Sequence, residues 1–575
     1  MVTELLGSDL REKIIEISLK ESAPENVIAI AFYGPYAGGY ADDKAALDIL
    51  AITESEKIQI KSRSKTLDSK KARLLIASRR IFENDVESEW LGGIIAENIL
   101  APYKPLLNER YLWIQEVKAK KRIISEALNN LILGFPELSR NFMIKPEYFM
   151  FESMARRAAL FPLITYRFIN ILRGGLRETN RFLIMKGFNA AIEELVSEGK
   201  IYWVNDYLKI SEDYIESLRG KRGIRLINFF RNIRSSIIRY VLTVFPTIID
   251  SLLDDYRIYR LYKGDGGVDP PTHMLEDPKK YISIPTSSGT VLLSEKVTIE
   301  EFVRRTMPES QQNIRYEVKR LGGILNSVYK LRVIRDGGEE KFVVKIFKDW
   351  YGWKWFPLAL WSLGTRGFAV LGKARLEREY SLNNYLLKSG VNVPKIICVS
   401  PSEKLLFQEY IEGKRLSEII KQLYKEKDKD RRERLLSIIR RIGREIARIH
   451  LLGISLGDCK SENIILSPDD KIFFIDLEQA EVGGSQAWDI AEFLYYPGHY
   501  AIFSSIADAE IITREFLLGY LEAGGRIENI RRALSPRYIK VFSFFTPPHI
   551  IVAVSNVCRK ILRDYVSGDE KIRPN

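Results

Sequence analysis

The sequence predicts a multidomain α+β protein, and three observations predict it. At 575 residues the chain is too long for one core and calls for two to four domains. Its hydrophobic content of 46% is that of a globular chain. Apolar runs of strand length, such as residues 27–34 and 342–347, alternate with amphipathic helical stretches, and a Gly-, Pro- and Asp-rich stretch at 263–271 divides the chain.

The first strands set the N-terminal domain. Residues 27–34 read as a buried strand ending in Gly34, and residues 46–52 as a second strand that carries Asp48. Asp42 and Asp43 fall in the loop between them. Further on, residues 188–196 read as a helix, 201–204 as a strand, Asn205-Asp206 as a turn and 207–210 as the return strand. An ordinary αββ piece fits this pattern as well as any specialised module.

The C-terminal half carries the chemistry. Leu456-Gly457-Asp458-Cys459-Lys460-Ser461-Glu462-Asn463 holds a D-x-K-x-x-N spacing, and Asp476 closes an apolar run thirteen residues after Asn463. Phosphoryl transfer needs one carboxylate for the attacking hydroxyl, and an amide with a second carboxylate for Mg²⁺. A strand–turn–strand reading of 464–475 would bring Asn463 and Asp476 to one metal. Lys345 stands inside the apolar run 342–347, where an unpaired ammonium is costly. A helix starting at Arg375 offers Glu379 as its partner, with Glu377 as the alternative; each alone also fits a solvated helix face. Gly322 and Gly323 sit between two strand-like runs, as in a phosphate-covering loop or a plain hairpin. Residues 405–413 read as a strand leading into a hinge, where backbone groups of Glu409 to Ile411 would meet adenine. His450 ends a long helix and reads as structural.

Together, residues 300–520 resemble the protein-kinase-like superfamily, closest to the atypical RIO kinases and the small kinase of the KEOPS complex. The resemblance rests on Val391-Asn392-Val393-Pro394, on Ile475-Asp476-Leu477-Glu478-Gln479-Ala480 in place of D-F-G, and on Trp488-Asp489-Ile490-Ala491-Glu492-Phe493-Leu494. It implies a bilobal C-terminal domain over 276–575. It assigns Lys345 to the ATP phosphates, Asp458 to the substrate hydroxyl, with Lys460 beside it, and Asn463 and Asp476 to Mg²⁺ or Mn²⁺. The usual His before the catalytic Asp is Leu456 here, and the Gly of D-F-G is Glu478, which would restrict the loop or add a carboxylate near the metal. No A-P-E segment follows, and the 476–489 interval is too short for a long activation loop. The implied function is an ATP- and Mg-dependent serine/threonine protein kinase of RIO-like type, acting on a protein substrate or on itself. An RNA-associated ATPase switch and a small-molecule phosphotransferase use the same residues and remain alternatives; Lys460 favours a protein hydroxyl.

Residues 1–115 resemble a nucleotidyltransferase, but Leu50 stands where a second carboxylate belongs, so the domain is expected to be inactive. Helix plus hairpin within about 146–218 resembles a winged helix, in a helical region spanning 116–262. The linker is expected at 263–275.

Composition bounds the rest. The net charge is +13, and residues 219–239 carry seven cations and no acid around Phe229 and Phe230, which suits RNA or DNA contact. Aromatics and lysines interleave in an insert at 350–372, fit for packing, a stacked base or a partner. The three cysteines are scattered, so no disulfide framework or zinc site is expected. No signal peptide and no membrane span is expected, which points to the cytoplasm.

Overall fold

The computed structural model describes residues 7–55, 59–160, 164–219, 275–306, 315–322, 327–335, 338–348, 371–501, 506–543 and 546–566. The basic stretch beyond Arg219, the linker up to 274, the aromatic insert up to 370 and Gly323 lie outside the described residues. The chain is a mixed α and β protein in two units, residues 1–284 with 292–294, and residues 285–291 with 295–575.

The first unit is built on a sheet of β1 (Asn26–Tyr33), β2 (Leu47–Glu54), β3 (Ile60–Leu67), β4 (Lys70–Ser78) and β5 (Lys104–Leu107), in the order β3-β4-β2-β1-β5. β2 and β4 run parallel; the other neighbours are antiparallel. Alternate residues feed two cores: Ala29, Ala31, Leu50 and Ile52 on one face, Ile30, Phe32, Ile49 and Ala51 on the other. Burial on both faces is why β1 and β2 read as continuous apolar runs. The helix after β5, Glu109–Gly134, runs straight across residue 115, so the sheet and the helical region share an element at the expected boundary. The helix Leu176–Ser197 is followed by the hairpin of Ile201–Val204 and Tyr207–Ile210, with Asn205 in the left-handed region at its turn. Ile282 and Ser283 pair with Met143–Ile144, which holds 276–284 in this unit rather than in the C-terminal one.

The second unit begins with a five-stranded antiparallel sheet. Its order is Arg315–Gly322, Ser327–Arg335, Gly338–Ile346, Leu405–Glu409, Ile396–Ser400. Phe342 and Val344 turn into a core with Leu331, Val333, Phe302 and Phe407. The strand's period of two then sends Lys345 to the opposite face. There the helix Gly372–Lys388 brings buried Glu379 to within 2.8 Å of it. The helical part follows, with Leu416–Leu423, Lys429–Leu451, Gln486–Tyr495, Ile506–Glu522 and Pro548–Val566 around one large core. Lys429–Leu451 and Ile506–Glu522 pack closely because a Cβ on Gly519 would lie 1.9 Å from the Arg440 carbonyl oxygen, and one on Gly443 would lie 2.2 Å from that of Phe516.

Candidate active site

The site of the second unit is assembled from the lysine strand, the helix behind it and two loops. Lys345 Nζ donates to Glu379 Oε1 at 2.8 Å and to Asp476 Oδ1 at 3.0 Å. Gln408 Nε2 donates to the same Glu379 oxygen at 3.1 Å. Lys345, Glu379 and Gln408 are all buried, so this network is held in a low-dielectric setting. Burial pulls the Lys345 pKa down, but Asp476 and then Glu379 outweigh it, and the ammonium stays charged well above its ordinary range. Glu377, the alternative partner, is also buried on this helix, but the lysine meets Glu379.

The loop of Asp458 is shaped by its own side chains and by the helix Gln486–Tyr495. Asn463 Nδ2 donates to the Asp458 carbonyl at 3.0 Å and to its Oδ2 at 3.1 Å, and Lys460 Nζ lies 2.6 Å from Asp458 Oδ1. Burial opposes the charge on Lys460, yet Asp458 and Glu492 keep its pKa raised. The backbone behind them is pinned by two buried carboxylates. Asp489 accepts from the N–H groups of Leu456 and Gly457 at 2.6 and 2.7 Å, and Glu492 accepts from that of Cys459 at 2.8 Å. His450 is buried between Asp489 and the Tyr520 hydroxyl, at 3.1 and 2.9 Å, where it braces the loop through Asp489.

Ile464–Leu466 and Ile472–Phe474 pair as antiparallel strands, and the Ile475 N–H donates to the Asn463 carbonyl at 2.9 Å. The strand pair therefore carries Asn463 and Asp476 to adjacent positions. Asp476 has φ 65°, a left-handed conformation that Asp tolerates better than most residues.

These residues fit a magnesium ion. Among the described residues no group of three His, Cys, Asp or Glu side chains is placed to cage a metal. Mg²⁺ needs no such cage, since one or two carboxylates plus substrate phosphates hold it. Asn463 spends its amide nitrogen on Asp458, which leaves its carbonyl oxygen as the donor suited to a cation, alongside Asp476.

Gly322 ends the strand Arg315–Gly322 at a register shift opposite Val328. Glu409 ends the strand Leu405–Glu409; its N–H goes to the Lys395 carbonyl and that of Tyr410 to the Lys341 carbonyl. Ile411 follows just outside the strand and is half-buried.

Of the pair that braces this site from the helix side, the sequence singled out Glu478 but not its partner Arg375. Arg375 is fully buried and places Nη1 3.3 Å from both carboxylate oxygens of Glu478. Burial, with Asp476 next to it, pushes the Glu478 carboxyl up to about 8 against the pull of Arg375. Arg375 precedes Glu379 by one helical turn, the only signal in the sequence that they share a face.

In the first unit, Arg73 Nε and Nη2 grip Asp48 through both carboxylate oxygens, at 2.7 and 3.0 Å. The two residues are direct partners in the β2–β4 ladder, and both side chains are largely buried.

A family model described as the lipopolysaccharide kinase (Kdo/WaaP) family matches residues 330–489. The chain is 38% identical over 157 residues to the KEOPS complex subunit Bud32 of Pyrococcus abyssi, covering 26% of this chain and 68% of that protein. It is 30% identical over 162 residues to a 3-deoxy-D-manno-octulosonic acid kinase of Vibrio vulnificus, covering 28% of this chain and 58% of the relative.

Proposed function

From the premise that this chain belongs to the protein-kinase-like superfamily of phosphotransferases, shared with Bud32, we propose that its second unit is an ATP- and Mg²⁺-dependent protein kinase of atypical, RIO-like type. The observation that carries this reading is the meeting of Lys345 with both Glu379 and Asp476. In this family's chemistry a lysine held by a helix glutamate grips the nucleotide phosphates, and the nearby aspartate holds the metal.

The division of labour follows from position and charge. Lys345 neutralises phosphate oxygens and is kept in place by Glu379. Asp458 orients the acceptor hydroxyl and takes up its proton, while Lys460, paired with Asp458, faces the charge that develops on the transferred group. Asn463 and Asp476 would hold Mg²⁺, which when bound supplies charge neutralisation between the phosphates. Asp489 and Glu492 fix the loop so that none of these groups must reorganise during reaction.

A serine or threonine hydroxyl of a protein is the proposed acceptor, because Lys460 is the residue type found at this position in protein-directed enzymes. A small hydroxylated acceptor is the second reading. It is favoured by the match to relatives named for 3-deoxy-D-manno-octulosonic acid. In the first unit, the helix Leu176–Ser197 with its hairpin is read as a winged helix. The β1–β5 domain is read as nucleotidyltransferase-like and inactive, its one candidate carboxylate being spent on Arg73.

The test is γ-labelled ATP with Mg²⁺, comparing wild type with Asp458→Ala and Asp476→Ala, with added protein, sugar acid or RNA. Label on protein that both variants abolish supports the protein-kinase reading. Label on the sugar acid alone selects the second reading. Free phosphate that rises only with RNA overturns both in favour of an ATPase.

A further inference from the structure

The kinase reading leaves one requirement unexplained. A lysine–glutamate pair and a metal-binding aspartate must be in place together, and protein kinases secure this through helix position and activation-loop phosphorylation. Here the interval after Asp476 has no room for such a loop. Leu477 and Ala480 are buried, Glu481–Val482 pair with Ile454–Ser455, and the next helix starts at Gln486. Some other contact must hold the helix Gly372–Lys388 against the Asp476 loop.

We propose that Arg375 and Glu478 are positioning residues: their buried pair clamps the helix that carries Glu379 to the loop that carries Asp476, and keeps the site assembled without phosphorylation. This deepens the kinase reading and rests on it.

Contacts at three residues of this helix, Arg375, Gly372 and Arg378, support the clamp. Arg375 reaches in two directions: Nη1 to Glu478, and Nη2 to the Lys348 carbonyl, just beyond the lysine strand. Its guanidinium also lies 6.0 Å over the Phe347 ring. One side chain thus ties strand, helix and loop. The helix start is pressed onto the same strand end, because a Cβ on Gly372 would lie 2.3 Å from the Phe347 carbonyl oxygen. A second, more exposed pair runs between the same elements, Arg378 Nη2 to Glu481 Oε1 at 3.6 Å.

The charges also explain why a glutamate is tolerated where the related loops carry glycine. Lys345 and Arg375 face Glu379, Asp476 and Glu478. Without Arg375, Glu478 would lose the partner that fixes its side chain beside the Asp476 loop. With it, Glu478 is matched, and Lys345 remains with Glu379 and Asp476.

The test uses the full chain with Arg375→Met, Glu478→Gln, the double variant, and Arg375→Lys as the conservative rescue. The readouts are kcat and KM for ATP, the unfolding midpoint, and amide hydrogen exchange over 372–388 and 476–482. The expected result is a fall in kcat of about tenfold to a hundredfold in each folded single variant, with KM for ATP changed by no more than about threefold. The double variant should be no worse than the weaker single, Arg375→Lys should recover part of the loss, and exchange over 476–482 should rise in Arg375→Met. The proposal is overturned by folded single variants that keep kcat within about twofold of wild type, by losses that multiply in the double variant, or by unchanged exchange in that segment. If Arg375→Met does not fold, the near-isosteric Glu478→Gln decides the kcat question. If wild type turns over no ATP, the kinase reading falls, and the exchange measurement still judges the clamp.

Discussion

Lys345 Nζ stands 2.8 Å from Glu379 and 3.0 Å from Asp476, so one buried ammonium is shared by a helix glutamate and the aspartate just past the strand Ile472–Phe474. That sharing predicts unequal costs for removing the two ends. Lys345→Met removes the ammonium that pairs with both carboxylates, and should lower kcat by ~10²–10³-fold. Glu379→Gln still accepts from Lys345 and Gln408 and should cost only about tenfold. Steady-state kinetics on both variants, with nucleotide binding by calorimetry, checks the ranking; equal losses would mean that Glu379 does more than orient the lysine.

Asp458 is the second point of leverage. Its Oδ2 accepts from Asn463 and its Oδ1 faces Lys460. Asp458→Asn preserves the shape but places an amide where the proposed reaction calls for a proton acceptor. Activity should drop by ~10²–10⁴-fold, while the unfolding midpoint moves little and ATP still binds. A calorimetric ATP titration of the variant against the wild type separates loss of chemistry from loss of binding.

The loop behind Asp458 depends on Asp489, whose carboxylate takes the Leu456 and Gly457 N–H groups and His450. Asp489→Ala leaves two buried N–H groups without their acceptor. At ~1–3 kcal/mol for each unsatisfied group, the variant should lose roughly 2–6 kcal/mol of stability. Urea unfolding measures it directly. A loss below about 1 kcal/mol would mean that water replaces the carboxylate at the core of the loop.

Much of the fold was written in local pattern, because strands buried on both faces and a lysine inside an apolar run leave unmistakable marks. The D-x-K-x-x-N spacing likewise drew attention to Asp458, Lys460 and Asn463, since they lie within six residues of one another and meet through local geometry. What the sequence hid was which distant charges find each other. Arg375 and Glu478 are 103 residues apart, and a charged residue on an amphipathic helix reads the same whether it is solvated or buried. Asp48 had the opposite problem. Its strand resembled that of a nucleotidyltransferase without the second carboxylate, and the partner of the lone Asp48 became legible only through the parallel register of β2 with β4, which sets Arg73 beside it.

Glu492 predicts a pH dependence. Burial, with Asp458 next, pushes its carboxyl up to about 8, against an ordinary value of 4.5. Between those values the folded state holds a proton that the unfolded chain has released. Stability from this group is therefore fully present below pH 4.5 and is lost as pH rises through 8, with a slope of about 1.4 kcal/mol per pH unit inside the window. Glu492→Gln keeps a carbonyl for the Cys459 N–H and for Trp488 Nε1, and removes the titration. Its unfolding midpoint should fall less steeply than that of the wild type between pH 5 and 8. Parallel curves for the two proteins would show that Glu492 is ionised throughout.

The bidentate pair of Arg73 and Asp48 separates the two halves of the chain. If the first unit performs no metal chemistry, Asp48 serves only to neutralise Arg73, whose side chain is 11% exposed. Asp48→Ala breaks a largely buried ion pair and should destabilise that unit by ~3–5 kcal/mol, because Arg73 loses its bidentate carboxylate between β2 and β4. ATP turnover by the second unit should stay unchanged at temperatures where the first unit is still folded. Asp48→Ala/Arg73→Leu removes both charges and should recover most of the lost stability. A calorimetric scan paired with the ATP assay reads both effects. A variant that keeps its stability but loses a nucleotide-dependent activity would instead assign chemistry to Asp48.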